Sequence, residues 1–268
     1  MSKRRKMIEV PNFFQQDIEI PEGLKNENKL KFKPVVARTK NQKEYIKSII
    51  SNDITFAVGC PGTGKTRIAI GIAYEMLMKG ETDRIVISRP AIEAEGEKLG
   101  FRPGDIKEKM HEFLIPIYDE LLDFTSQSEI DRLIKERIID IVPLCFMRGR
   151  NLKGTVILDE AQNATIKQLK LLLTRMCEGA KIILTGDPNQ SDLGQYDNND
   201  FYKLSKSLTG IDGIGVIYLE KVDVQRHKLV NIITDIIEGI DKPQSLEERF
   251  VGYREYDGYD RNYSQLYD

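Results

Sequence analysis

The run Gly59-Cys60-Pro61-Gly62-Thr63-Gly64-Lys65-Thr66 narrows the possible folds more than any other stretch of this chain. It follows the apolar segment Ile54 to Val58 and opens a pattern with Ile68, Ile72, Met76 and Leu77 on helical spacing. Strand, glycine-rich loop, helix is the context in which G-x-x-x-x-G-K-T becomes a phosphate-binding prediction. The glycines admit backbone conformations closed to other residues, so successive N–H groups converge on one anion at the positive end of the new helix. Lys65 is placed to neutralise β- and γ-phosphates, and the Thr66 hydroxyl to ligate Mg²⁺. A ligand-free glycine turn is the competing reading, and the flanking strand and helix weigh against it.

The second signal is Thr155-Val156-Ile157-Leu158-Asp159-Glu160-Ala161-Gln162. Four strand residues deliver two carboxylates to the carboxyl edge of a mostly parallel sheet, where open α/β folds bind ligands. Asp159 would hold Mg²⁺ through water, and Glu160 would orient the attacking water. A strand ending in Asp-Glu is weak alone; together with a phosphate loop it points to hydrolysis. The strand Lys181 to Thr185 leads to Gly186-Asp187-Pro188-Asn189-Gln190, where Gln190 can read a γ-phosphate or sit in a plain polar turn. Thr39 reads as the N-cap of a helix through Tyr45, Ile46, Ile49 and Ile50. On it, Gln42 is either a surface glutamine or a match to the N6/N7 edge of adenine.

Between these signals the pattern predicts a strand over Arg84 to Ser88, a loop over Glu93 to Asp105, and a helix over 105 to 123 interrupted at Pro116. A helix over 128 to 137, a strand from Ile138 to Val142, and a helix from Thr165 through Leu169, Leu172, Leu173 and Met176 follow. Arg89 ends its strand, and Arg148 and Arg150 flank Gly149 on a loop; these arginines either contact phosphates of a single strand or are solvated. A strand from Val216 to Leu219 precedes Arg226-His227 and a last helix through Val230, Ile233, Ile236 and Ile237. The expected organisation is an arm over 1–36, an α/β nucleotide-binding domain over 37–240, and an acidic tail over 241–268 carrying Tyr253, Tyr256, Tyr259, Tyr263 and Tyr267.

Composition excludes several classes. A formal net charge of −2 over 268 residues supplies no global field to gather nucleic acid, so such binding must rest on a local patch. Cys60, Cys145 and Cys177 form no C-x-x-C pair and have only His111 and His227 beside them, which argues against zinc and disulfides and for a reducing cytoplasm. No apolar run approaches the ~18 residues that span a bilayer, and Lys3-Arg4-Arg5-Lys6 is not followed by a signal-peptide core.

Taken together, the phosphate loop, Ser88-Arg89-Pro90-Ala91, Glu97 to Asp105, Met147-Arg148-Gly149-Arg150, Asp159-Glu160-Ala161-Gln162, Gly186-Asp187-x-x-Gln190 and Arg226-His227 resemble the PhoH family. These are P-loop ATPases whose RecA-like domain is similar to the first motor domain of superfamily 1 helicases. The resemblance covers about residues 37 to 240. It implies the adenine-reading place for Gln42, Walker A roles for Lys65 and Thr66, Walker B roles for Asp159 and Glu160, the γ-phosphate sensor for Gln190, and a candidate arginine finger in Arg226. Three positions depart from the family pattern: Cys60 fills a variable loop position, Glu95 lengthens its loop by one residue, and Lys228 stands where a proline usually follows Arg-His.

A single RecA-like domain lacks the facing wall that a second motor domain would provide, which leads to the expectation of a homo-oligomeric ring, six subunits by family resemblance, with Arg226 reaching a neighbour's ATP. The expected activity is Mg²⁺-dependent ATP hydrolysis coupled to single-stranded RNA or DNA. The alternative is an ATP-switched protein-interaction module. A small-molecule phosphotransferase is disfavoured by the water-activating carboxylate, and GTP by the lack of an Asn-Lys-x-Asp signature.

Overall fold

The computed structural model describes residues 33–90, 115–193 and 198–226, with 229, 230, 233 and 236 beyond them. The arm residues 1–32, the loop from Ala91 through Glu95 to Asp105, His111, His227, Lys228 and the tyrosine tail lie outside the described residues.

Six strands form one sheet: β1 Ile54–Gly59, β2 Ile85–Arg89, β3 Ile139–Pro143, β4 Thr155–Leu158, β5 Lys181–Gly186 and β6 Ile214–Leu219. Their spatial order is β3-β2-β4-β5-β1-β6, and every pairing is parallel. A parallel sheet needs crossovers that cover both faces, so its strands read as apolar on both sides. Alternation along the strands divides that surface into two layers. Ala57, Ile85, Ile87, Ile157 and Ile183 face the helices α1 (Lys40–Ser51), α2 (Lys65–Met78), α3 (described over 115–122) and α4 (Gln127–Lys135). Phe56, Val58, Val86, Val156, Leu158, Ile182 and Leu184 face α5 (Ile166–Leu173) and α6 (Asp200–Leu208). This is the α/β, RecA-like P-loop architecture expected from the sequence.

Local chemistry sets the helix ends. Thr39 caps α1 by accepting from the Gln42 N–H, and Thr165 caps α5 in a reciprocal capping box with Gln168. The fifth helix stops at Leu173, short of the expected Met176, because the chain there bridges Leu152 and the Arg175 carbonyl accepts from the Leu152 N–H at 2.9 Å. The sixth helix was not expected. Its Asn199 cap and its Phe201, Leu204, Ser205 and Leu208 spacing are the signal, placed in a stretch whose Gly, Asp and Asn content points to a loop.

The described residues through Val224 make one compact unit, and those from Gln225 belong to a second. In the second unit, residues 229, 230, 233 and 236 are helical.

Candidate nucleotide site

The carboxyl edge of the sheet gathers the site. After β1 the loop turns through Gly64, whose φ of 84° lies in the left-handed region that glycine occupies without strain. No side chain caps α2 and its first turn carries no acidic residue, so its N-terminal N–H groups face the loop uncompensated. Lys65 Nζ donates to the carbonyls of Gly59 (2.6 Å) and Cys60 (2.7 Å), and Thr63 Oγ1 donates to Cys60 O at 2.8 Å. Burial draws the Lys65 pKa down, while Asp187, Glu160 and Asp159 pull it back up. One ammonium therefore feels three carboxylates from two other strand ends, which is the juxtaposition a phosphate loop and an acidic strand tip must achieve.

Asp159 is the hub. It is buried just past β4, and its N–H donates to Ser88 O at 2.8 Å, extending the β2–β4 ladder. Its Oδ1 accepts from Thr66 Oγ1 and Thr185 Oγ1, both at 2.6 Å, and its Oδ2 accepts from Arg89 Nε at 2.8 Å and Nη2 at 2.5 Å. Three elements, α2, β5 and β2, thus converge on one carboxylate. The touching Thr66 hydroxyl and Asp159 carboxylate are hard oxygen donors, the ligand type that Mg²⁺ takes when phosphates and water complete its shell. Those two residues fit the ion.

Glu160 sits at φ 54° and ψ 39°, a left-handed conformation that costs a non-glycine residue about 1–2 kcal/mol. Gln162 Nε2 donates to Glu160 Oε2 at 2.6 Å, fixing the carboxylate. Gln162 Oε1 accepts from the Asp187 N–H at 3.1 Å, and its carbonyl accepts from Asn199 Nδ2 at 2.8 Å. Gly186 makes room for this bridge, since a Cβ there would stand 2.9 Å from Gln162 Oε1 and 2.8 Å from the Phe201 ring. Gln190 ends the short turn Pro188–Gln190 and is exposed.

Several predicted residues take other positions. Gln42 is buried, its Oε1 accepting from Arg38 N–H (2.7 Å) and its Nε2 donating to Thr63 O (2.9 Å), so its amide braces the phosphate loop. Arg89, expected on a nucleic-acid path, is clamped on Asp159. Arg150 pairs with Asp140, which Arg84 also holds at 2.8 Å. Arg148 is exposed and belongs to no ion pair among the described residues. Arg226 belongs to the second unit, and the phosphate loop to the first. Cys60 is half-buried; burial first, and then Asp187, push its thiol up, so it stays protonated and acts as a small filler. Pro61 and Gly62 complete the loop. Sequence reasoning missed Thr185 and the bridging roles of Gln162 and Asp187; the glutamine two residues past Glu160 was the available signal.

The family model for PhoH-like proteins matches residues 34–238. The chain belongs to the PhoH family. It is 45% identical over 213 residues to a PhoH-like protein of Bacillus subtilis, covering 79% of this chain and 66% of that protein. It is 44% identical over 205 residues to one from Synechocystis, covering 76% and 62%, and 37% identical over 199 residues to protein PhoH of Escherichia coli, covering 73% and 56%. The match spans under two thirds of the length of each of these PhoH relatives. Among solved structures, the Sulfolobus solfataricus SWI2/SNF2 ATPase core in complex with dsDNA aligns with a TM-score of 0.38 at 13% identity, over 84% of this chain and 58% of that one, a distance at which no activity carries over. A PhoH P-loop of this kind is a nucleotide site of the NTPase type. Among the described residues no helix is long and apolar enough to cross a membrane.

Proposed function

We propose that this PhoH-family chain binds ATP with Mg²⁺ and hydrolyses it. The observation that carries the reading is the Thr66–Asp159 contact at 2.6 Å, which joins phosphate loop and acidic strand tip while Gln162 holds Glu160 beside them. A bound Mg²⁺ would neutralise charge on the β- and γ-phosphates. Thr66 and Asp159 would hold that ion, Lys65 would turn from the loop carbonyls to the phosphates, and Glu160 would orient the attacking water. Gln190 reads the terminal phosphate. Arg226 completes the site of a neighbouring copy in a ring.

Single-stranded RNA or DNA is the proposed effector. Among the three arginines considered for its backbone, Arg148 is the exposed one with no ion pair among the described residues, which favours it for that contact. The test is ATP hydrolysis with and without single-stranded RNA and DNA at low salt, with Lys65→Ala as the blank. Turnover above the blank, raised by a single strand, is expected. Turnover equal to the blank overturns the enzyme reading, and turnover indifferent to both strands overturns the coupling. For Arg226, a hydrolysing strict monomer in light scattering with ATP and Mg²⁺ defeats action in trans.

A further inference from the structure

Arg89 has a geometry that a solvated or strand-contacting arginine does not need. It is the last residue of β2, its side chain is only 18% exposed, and it grips a carboxylate that is 2% exposed. The grip uses one edge of the guanidinium: Nε and Nη2 both donate to Asp159 Oδ2. The opposite edge, Nη1 with the second Nη2 hydrogen, has no acceptor among the described residues. A guanidinium carries five donors in a rigid fork, and that free edge has the spacing of two phosphate or carboxylate oxygens.

The surroundings identify which anion. Asp159 Oδ1 holds Thr66 of the phosphate loop, so the guanidinium stands one carboxylate's width from the residue that follows Lys65. The fixed charge there is predominantly negative. Lys65 feels Asp187, Glu160 and Asp159, and Glu120 of α3, raised chiefly by burial, feels Arg67 and Arg89 against Asp123 and Asp159. A triphosphate entering this group of carboxylates needs a second fixed cation close to its terminal phosphate, and a cation held rigidly requires no reorganisation when charge develops.

We propose that Arg89 is a phosphate-contacting residue of the nucleotide site, aligning Asp159 with one edge of its guanidinium and receiving the terminal phosphate on the other. This deepens the nucleotide reading above and rests on it. It makes Arg89 an arginine supplied by the same chain, independent of Arg226. It also predicts discrimination between nucleoside triphosphate and diphosphate, because only the triphosphate carries the group that the free edge receives.

The experiment is calorimetric binding of a non-hydrolysable ATP analogue and of ADP, both with Mg²⁺, to the full chain and to Arg89→Lys and Arg89→Ala. A lysine keeps the charge but presents no fork. The analogue should weaken about tenfold or more in both variants while ADP changes by less than about twofold. Equal losses for both nucleotides would make Arg89 a mere support for Asp159 and overturn the proposal. Unchanged nucleotide binding with weakened binding of a single-stranded oligonucleotide would overturn it in favour of a nucleic-acid contact. Failure of the unsubstituted chain to bind either nucleotide would instead bring down the underlying site assignment. Arg89→Lys also guards against misfolding, which circular dichroism of each variant checks.

Discussion

Two arginine–carboxylate clusters lie on the two strands that flank β2 in one sheet, and they differ in where water reaches and in which sign is in excess. At the end of β4, Asp159 is 2% exposed and serves three side chains, only one of them charged. In β3, Asp140 is 23% exposed and is shared by Arg84 and Arg150, each 35% exposed. Around Asp159 carboxylates outnumber cations, which is the arrangement that Mg²⁺ and a phosphate-binding lysine need. Around Asp140 arginines outnumber the carboxylate, and solvent screens them. An identical pair of side-chain types therefore builds a ligand site in one place and a surface link in the other, and burial decides which.

The sharpest way to break this contrast is Asp159→Asn, which keeps the shape and removes the charge. One of the two acceptor oxygens becomes an NH₂ and the charge is lost, so Arg89 no longer has an ionised partner, and destabilisation of about 1–3 kcal/mol is expected by urea unfolding. Hydrolysis should fall at least about a hundredfold, since Thr66 would lose its acidic partner in holding Mg²⁺. Unchanged stability would mean that Arg89 finds another acceptor, and the two clusters would then be alike.

Next in size is Gln162→Ala, which tests whether the buried end of the sheet holds its groups in fixed positions. The Glu160 carboxylate loses its one hydrogen-bond donor among the described residues, and the Asp187 N–H loses its acceptor. The expected result is kcat down about 10- to 100-fold with nucleotide Kd within about twofold, because positioning rather than binding is lost. Parallel losses in kcat and Kd would show that Gln162 supports the loop and not Glu160.

How much of this was legible before the structure follows from the range of each signal. The phosphate loop and the Asp-Glu strand end are local patterns in which neighbouring residues dictate both backbone and chemistry, and both stand where the pattern puts them. The roles of Arg89 and Thr185 depend on β2 and β5 flanking β4 with Ser88 beside Leu158 and Leu184 beside it on the other side. Strand order is a long-range property that spacing along the chain does not encode. Gln42 illustrates the same limit: its amide chemistry suits an adenine edge, but the packing of α1 against α2 brings the Thr63 carbonyl to it first. The sixth helix was hidden because its polar flanks resemble a loop while its apolar spacing resembles a helix.

A third carboxylate separates burial from ion pairing. Glu75 of α2 has a 4% exposed side chain, accepts from the Val35 N–H at 2.7 Å, and has Lys79 only at 3.9 Å. Burial is the foremost cause raising its pKa above the ordinary 4.5, against the lowering by Val35 and Lys79. The native state therefore holds this proton more tightly than the unfolded chain does, and the contribution to stability is full below the ordinary value and lost as pH rises through the folded one. Glu75→Gln should keep an acceptor for Val35 and gain stability relative to the parent as pH climbs from about 4 to 7, by up to about 1 kcal/mol. A difference that shrinks with rising pH would show that the lysine and backbone partners outweigh burial.

The smallest effect belongs to Asp140→Asn, the counterpart of the substitution at Asp159. Its partners are one third exposed, so each guanidinium can exchange the lost carboxylate for water, and exposed ion pairs of this kind contribute about 0–1 kcal/mol. Two arginines brought together without their carboxylate repel one another through a medium close to water, which adds a term that salt screens. The expected loss is therefore below about 1 kcal/mol by urea unfolding at low salt and smaller still at 0.5 M salt, with hydrolysis within about twofold of the parent. A loss as large as that of Asp159→Asn, insensitive to salt, would place this cluster in the interior energetically and remove burial as the quantity that tells the two apart.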